Sequence, residues 1–137
     1  MGSEKYKVVM FKEYGDERGD LVVAEGDGID IPFSIRRVFY IYGSDATVVR
    51  GRHANRKSEF VLINIAGESD VAVDDGAHKE VIHLNKPRMG LYLAPMVWKE
   101  MYHFSPDSVL LCLSSEHYDE TEYIRDYDTF LKEIHKA

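Results

Sequence analysis

The sequence predicts a single all-β domain, a sandwich or barrel of antiparallel strands, with one C-terminal helix. Three observations carry this expectation. Short runs rich in Val, Ile, Tyr and Phe recur along most of the 137 residues, each bounded by turn residues. Asp74-Asp75-Gly76 is a strong hairpin signal, and Lys86-Pro87-Arg88-Met89-Gly90 marks a second turn. Near the end of the chain the apolar period lengthens, as it does when strands give way to an amphipathic helix.

In order, the expected strands are 7–11, 19–24, 34–42, 48–52, 59–66, 69–73, 80–84, 90–93, 97–104 and 109–114, a spacing typical of sandwiches and barrels. Tyr123, Ile124, Tyr127, Phe130, Leu131 and Ile134 then recur at three- and four-residue intervals, which predicts a helix over about 120–136 packed outside the β unit. Asp119-Glu120-Thr121-Glu122 supplies a capping side chain and early negative charge for it. A chain of this length forms one domain, here 1–137, with the β unit over about 6–115.

Composition excludes several classes. No apolar stretch approaches the roughly 18 residues of a membrane helix, and no apolar run follows a basic start, so a soluble cytoplasmic protein without a membrane partner is expected. The single cysteine, Cys112, sits in Val109-Leu110-Leu111-Cys112-Leu113 and reads as a small buried apolar residue. A net charge of −7 argues against nucleic acid as a partner. Yet Arg36, Arg37, Arg50, Arg52, Arg56 and Lys57 gather six of the 17 basic residues in a short stretch, which suits a small anionic ligand.

That stretch contains the most informative motif, Arg50-Gly51-Arg52-His53-Ala54-Asn55-Arg56-Lys57-Ser58-Glu59, running into Phe60-Val61-Leu62-Ile63-Asn64-Ile65-Ala66-Gly67. Residues two apart on a strand face the same way, so His53 and Asn55 share a face, and Glu59 is expected to join them from the next strand.

The pattern Gly51-x-His53-x-Asn55-x-x-x-Glu59 with Gly67 resembles the first motif of the cupin superfamily, and Gly90-x-x-x-x-Pro95-x-x-x-Lys99 resembles a degenerate second one. Metal-binding cupins place three histidines and a glutamate where this chain has His53, Asn55, Lys99 and Glu59. Asparagine is a weak ligand and an ammonium repels a cation, so neither a metal nor another cofactor is expected.

The resemblance extends along the chain. Arg18-Gly19-Asp20-Leu21, the segment Ile31-Pro32-Phe33-Ser34-Ile35-Arg36-Arg37-Val38-Phe39-Tyr40-Ile41-Tyr42, Gly90-Leu91-Tyr92 with Ala94-Pro95-Met96-Val97-Trp98, and Tyr118 to Tyr127 are similar to the sugar 3,4-ketoisomerases of the WxcM-like cupins. The resemblance implies a cupin antiparallel β-barrel or jelly roll. It also implies action on dTDP-4-keto-6-deoxyglucose in deoxysugar pathways for surface polysaccharides. The Arg50-Gly51-x-His53 element alone also resembles the dTDP-4-keto-6-deoxyglucose 3,5-epimerases, and a non-catalytic sugar-nucleotide-binding cupin is a third possibility.

For ketoisomerisation, the chemistry assigns His53 as general acid/base and Lys99, Asn55 and Tyr40 as stabilisers of the developing oxyanion. Arg18 and Arg50 are expected on the diphosphate, to which guanidinium geometry is matched. Glu59 is expected to orient His53. His103, on the same strand parity as Lys99, is expected to line the cavity, and Tyr42, Tyr92 and Trp98 are the candidates to stack on thymine. Exposed edge strands and an apolar N-terminal strand point to a homodimer, with strand exchange as one form of it.

Overall fold

The computed structural model describes residues 3–135. Its strands are β1 (Tyr6–Met10), β2 (Lys12–Asp16), β3 (Gly19–Val23), β4 (Arg37–Tyr42), β5 (Arg50–Asn55) and β6 (Phe60–Ala66) in the first half of the chain. The second half adds β7 (Ser69–Asp74), β8 (Lys79–Leu84), β9 (Met89–Leu93), β10 (Trp98–Tyr102), β11 (Val109–Ser114), β12 (Tyr123–Ile124) and the helix α1 (Tyr127–Ile134). Two five-stranded antiparallel sheets face each other, one in the order β1-β9-β6-β11-β4 and the other β12-β5-β10-β7-β8. Among the described residues no strand ladder joins β4 to β5, so the jelly roll is a sandwich with an open side rather than a closed barrel.

Strand alternation explains the core. Phe39, Cys112 and Leu62 lie abreast on β4, β11 and β6 and point between the sheets with Phe60, Leu110, Val71 and Met101. Their neighbours Val61, Ile63 and Leu113 point to the outer face, where Phe11, Ile31 and Phe33 cover them. Burial on both faces is why residues 60–63 of β6 and 109–113 of β11 read as unbroken apolar runs instead of alternating ones. Covering Leu113 or Ile63 is worth roughly 1.5–3 kcal/mol each by area burial, so the 24–36 segment is held to the sheet without regular structure of its own.

Two expectations need correction. Residues 12–16 form a strand that the composition concealed: Lys12, Glu13, Gly15 and Asp16 are poor strand formers, and they pair only with β3 in a hairpin whose Tyr14 and Leu21 are exposed. At the other end, the helix does not begin near residue 120. Asp119 caps only a single turn of 3-10 helix, Glu120–Glu122, after which Tyr123 and Ile124 pair with Asn55 and Ala54 of β5. The helix starts instead behind Asp126, whose carboxylate accepts the Thr129 backbone N–H at 2.9 Å. Phe130 of α1 then packs with Trp98, Ala54 and Ile124 on the outer face of the second sheet. The expected helix end at position 136 lies outside the described residues.

Candidate active site

A β-bulge builds the site. Lys99 of β10 stands opposite His53 of β5, but Glu100 stands opposite Gly51, so Arg52 is the extra residue. Gly51 (φ 86°) and Arg52 (φ 56°) both adopt left-handed backbone. A Cβ on Gly51 would come within 2.9 Å of the Lys99 carbonyl oxygen, so the close strand approach itself demands glycine. Beyond the bulge His53 and Asn55 share the inward face, as their spacing predicted, and Lys99 joins them from β10.

Lys99 is buried and its Nζ donates to Asn55 Oδ1 at 3.0 Å while sitting 4.8 Å from the centre of the Phe60 ring. Burial draws its ammonium down to about 7, against the pull of the Glu122 carboxylate. Burial likewise pushes the His53 imidazole down to about 4, and the Lys99 cation pushes the same way, so His53 is neutral at pH 7. No hydrogen bond satisfies its buried Nδ1. The Tyr123 ring lies 4.8 Å from the imidazole, and Arg37 reaches the Tyr123 hydroxyl at 3.4 Å.

The imidazole divides two cavities. An inner one of about 80 Å³ is lined by Phe39, Phe60, Lys99, Met101, Cys112 and Tyr123. An outer one of about 410 Å³ opens between β4 and β5 and is lined by Tyr40, Tyr42, Arg50 and Gly51 as well as His53. A larger cleft, about 580 Å³, lies elsewhere, on the outer face of the second sheet against Trp98, Val81 and Tyr127. It contains no histidine, whereas the smaller cavities carry the base and the buried cation, so size does not identify the site here.

The fold thus brings together His53, Asn55 and Lys99, with Arg50 and Tyr40 at the rim. Tyr40 alternates with the inward Phe39 and Ile41 and is 60% exposed, so its ring is turned out of the sandwich and away from the inner cavity. Glu59 does not join His53. Phe60 takes the inward position, leaving Glu59 on the opposite side of the sheet, where it accepts the Tyr92 hydroxyl at 2.6 Å. His103 does not line the cavity either: its φ of 55° breaks the strand parity, and its Nδ1 bonds Asp70 at 2.7 Å with the side chain 63% exposed. Arg18 sits in the turn of the β2–β3 hairpin, paired with Asp16 at 2.5 Å and 86% exposed. Of the stacking candidates, Tyr42 faces solvent at the outer cavity, Tyr92 is committed to Glu59, and Trp98 is buried beneath α1.

Three residues at the site were not legible as such. Tyr123 read as a helix position because its spacing to Tyr127 and Phe130 fits a helical period. Arg37 was one cation among six, and only strand parity with Phe39 and Ile41 could have turned it inward. Glu122 read as early helix charge but is buried, accepting the backbone N–H groups of Lys57 and Ser58, each at 2.8 Å, and the Ser58 hydroxyl.

A jelly-roll sandwich of two antiparallel five-stranded sheets with one C-terminal helix defines a cupin-like protein. Within that class the chain belongs to the FdtA family, described as WxcM-like, C-terminal, whose model matches residues 4–135. It is 48% identical over 130 residues to the TDP-4-oxo-6-deoxy-alpha-D-glucose-3,4-oxoisomerase of Aneurinibacillus thermoaerophilus, covering 95% of this chain and 93% of that protein. Among solved structures it is similar to a 3,4-ketoisomerase from Helicobacter canadensis, at 41% identity and a TM-score of 0.91 over 95% of this chain and 97% of that one. It is also similar to an asparagine-for-histidine mutant of the 3,4-ketoisomerase QdtA from Thermoanaerobacterium thermosaccharolyticum in complex with TDP-4-keto-6-deoxyglucose. That match is at 41% identity and a TM-score of 0.94, over 98% and 97% of the two chains.

Proposed function

We propose that this protein is a sugar-nucleotide 3,4-ketoisomerase that converts dTDP-4-keto-6-deoxyglucose to a dTDP-3-keto-6-deoxyhexose. The observation that carries the reading is the pairing of a neutral His53 with the buried Lys99 directly across the strand from it, in a chain of this family. The C4 ketone acidifies the C3 proton, which the His53 imidazole accepts. Electrons from the C3–H bond form the enediolate, the C3 hydroxyl proton passes to the C4 oxygen, and the imidazolium returns a proton to C4 as the carbonyl settles at C3. The Lys99 ammonium and the rim Arg50 face the negative charge on the enediolate oxygen and the diphosphate respectively. An anionic sugar nucleotide beside His53 raises its pKa from the free-protein value toward neutrality, where one group serves as base and then acid.

The residues argue for catalysis without a metal. His53 faces an amide and an ammonium rather than further ligands, and no cluster of three His, Cys, Asp or Glu suited to a metal occurs among the described residues. Among these residues no helix is long and apolar enough to cross a membrane. We place the reaction in the cytoplasm, with the product feeding deoxysugar assembly for surface polysaccharide. A second copy of the chain is the proposed macromolecular partner: Val38, Tyr40 and Tyr42 form an exposed apolar row on the edge strand β4, and β2 and β3 pair only with each other, in a two-stranded sheet separate from the sandwich.

The deciding experiment incubates the protein with dTDP-4-keto-6-deoxyglucose in heavy water and reads the product by proton NMR. A 3-keto product, with deuterium at C4 or with hydrogen transferred from C3, supports the reading. Exchange at C5 would make it a 3,5-epimerase, binding without turnover would make it a sugar-nucleotide sensor, and activity lost on chelation would overturn the metal-free mechanism.

A further inference from the structure

We propose that Glu122 is a positioning residue for proton transfer: its buried carboxylate, relayed through the Asn55 carboxamide, holds Lys99 as an ammonium beside His53. This rests on the ketoisomerase reading above, which made Lys99 the cation facing the enediolate.

The geometry is a chain of alternating polarity running from the last 3-10 turn into the sandwich. Glu122 is 3% exposed and fixed by the Lys57 and Ser58 backbone N–H groups at 2.8 Å and by the Ser58 hydroxyl. Asn55, 1% exposed, presents its carbonyl oxygen to Lys99 at 3.0 Å. Its amide NH2 meets no partner at full hydrogen-bond geometry, and its interaction with Glu122 helps keep that carboxylate ionised. The amide dipole therefore points its positive end at the carboxylate and its negative end at the ammonium, the orientation that transmits one charge to the other.

The other groups around Lys99 cannot do this work. From β5 comes the neutral His53, and from β6 the Phe60 ring. Cys112 of β11 faces it as a thiol, burial having pushed its ionisation up to about 12. Arg37 of β4, which acts on Cys112, and Arg125, which acts on His53, bring further positive charge. Among the described residues that bear on Lys99, Glu122 supplies the one carboxylate. A buried ammonium without it would shed its proton and leave the enediolate without its cation.

The test is the pH profile of turnover for Glu122→Gln, which keeps an acceptor for the Lys57 and Ser58 N–H groups but loses the charge. A parallel titration follows Lys99 Nζ by nitrogen-15 NMR in the free protein. The expected result is a basic limb, and a Lys99 titration, moved at least about one pH unit lower, with roughly tenfold less activity at pH 8 and recovery toward the parent rate near pH 6. In a Lys99→Arg background, where the cation cannot deprotonate, Glu122→Gln should shift nothing. Should Glu122→Gln fail to fold, Glu122→Asp, which retains the charge at longer range, should give a smaller shift in the same direction. An unmoved limb and Nζ titration, or a loss equal at all pH values, overturns the proposal. A parent protein that does not turn over the keto sugar overturns the functional reading instead, and the Lys99 titration still reads the coupling to Glu122.

Discussion

Lys99 Nζ donates to Asn55 Oδ1 at 3.0 Å inside the sandwich, and both side chains are buried there. An ammonium buried among Phe60, Met101 and Cys112 offers positive charge in a low-dielectric setting, where it acts far more strongly than in water.

Replacing His53 by Asn removes the imidazole that lines both cavities while keeping a polar side chain of similar reach. Turnover should fall by about 10²–10⁴-fold with dTDP binding preserved. NMR of the product and calorimetry of dTDP binding check the two halves; full activity in this variant would sink the acid/base assignment.

Lys99→Met should lower kcat by roughly 10²–10³-fold, the usual consequence of removing a group that faces a developing oxyanion. It should also raise the His53 imidazole from about 4, since the Lys99 charge is the second cause of its depression after burial. Titration of the His53 ring protons reads this directly. An unchanged His53 titration would mean that the two side chains do not sense one another.

Gly51→Ala places a side chain at φ 86° and a Cβ 2.9 Å from the Lys99 carbonyl oxygen. Opening the bulge should destabilise the fold by about 1–3 kcal/mol and turn His53 away from the cavity. Denaturant unfolding and turnover should therefore fail together, whereas Arg52→Gly, which relieves the left-handed strain at φ 56°, should leave both nearly intact.

Acid should weaken the fold through His53. Its folded value of about 4 lies below the ordinary 6.5, so the unfolded chain takes up the proton first as pH falls. The stability that neutral His53 contributes is complete above pH 6.5 and is lost toward pH 4, on the order of 3 kcal/mol at most. Lys99, drawn from 10.5 to about 7, contributes its own pH dependence above 7 and leaves this window clear. Thermal melts from pH 7 to 4 should slope less in His53→Asn than in the parent; identical slopes would contradict the burial of the imidazole.

The apolar row on β4 offers a test of the dimer. Light scattering should find two copies per particle for the parent, and Tyr42→Glu with Val38→Glu, which charges a strand face exposed by 71% and 54%, should yield monomers. A parent that is monomeric at micromolar concentration would remove the second copy from the proposal.

The sequence by itself determined the all-β class, the strand set apart from β2 and β12, and the facing of His53 with Asn55, because alternation along a strand is a local rule that needs no knowledge of what packs against it. The motif also carried the expectation that no metal is held, since Asn55 and Lys99 are legible as residue types. What only the tertiary structure decided is which side chains meet. Glu59 and Glu122 are both glutamates near the motif in one sense or another, yet Phe60 claims the core and turns Glu59 to the far side of its sheet, while the pairing of Tyr123 with Asn55 brings Glu122 in beneath β5. A left-handed residue at His103 undid a parity that counting alone had assigned, and the Gly51–Arg52 bulge set the register on which His53 depends. Such choices follow from competition for a limited interior between residues distant in sequence, and that competition is settled only when the two sheets close on one another.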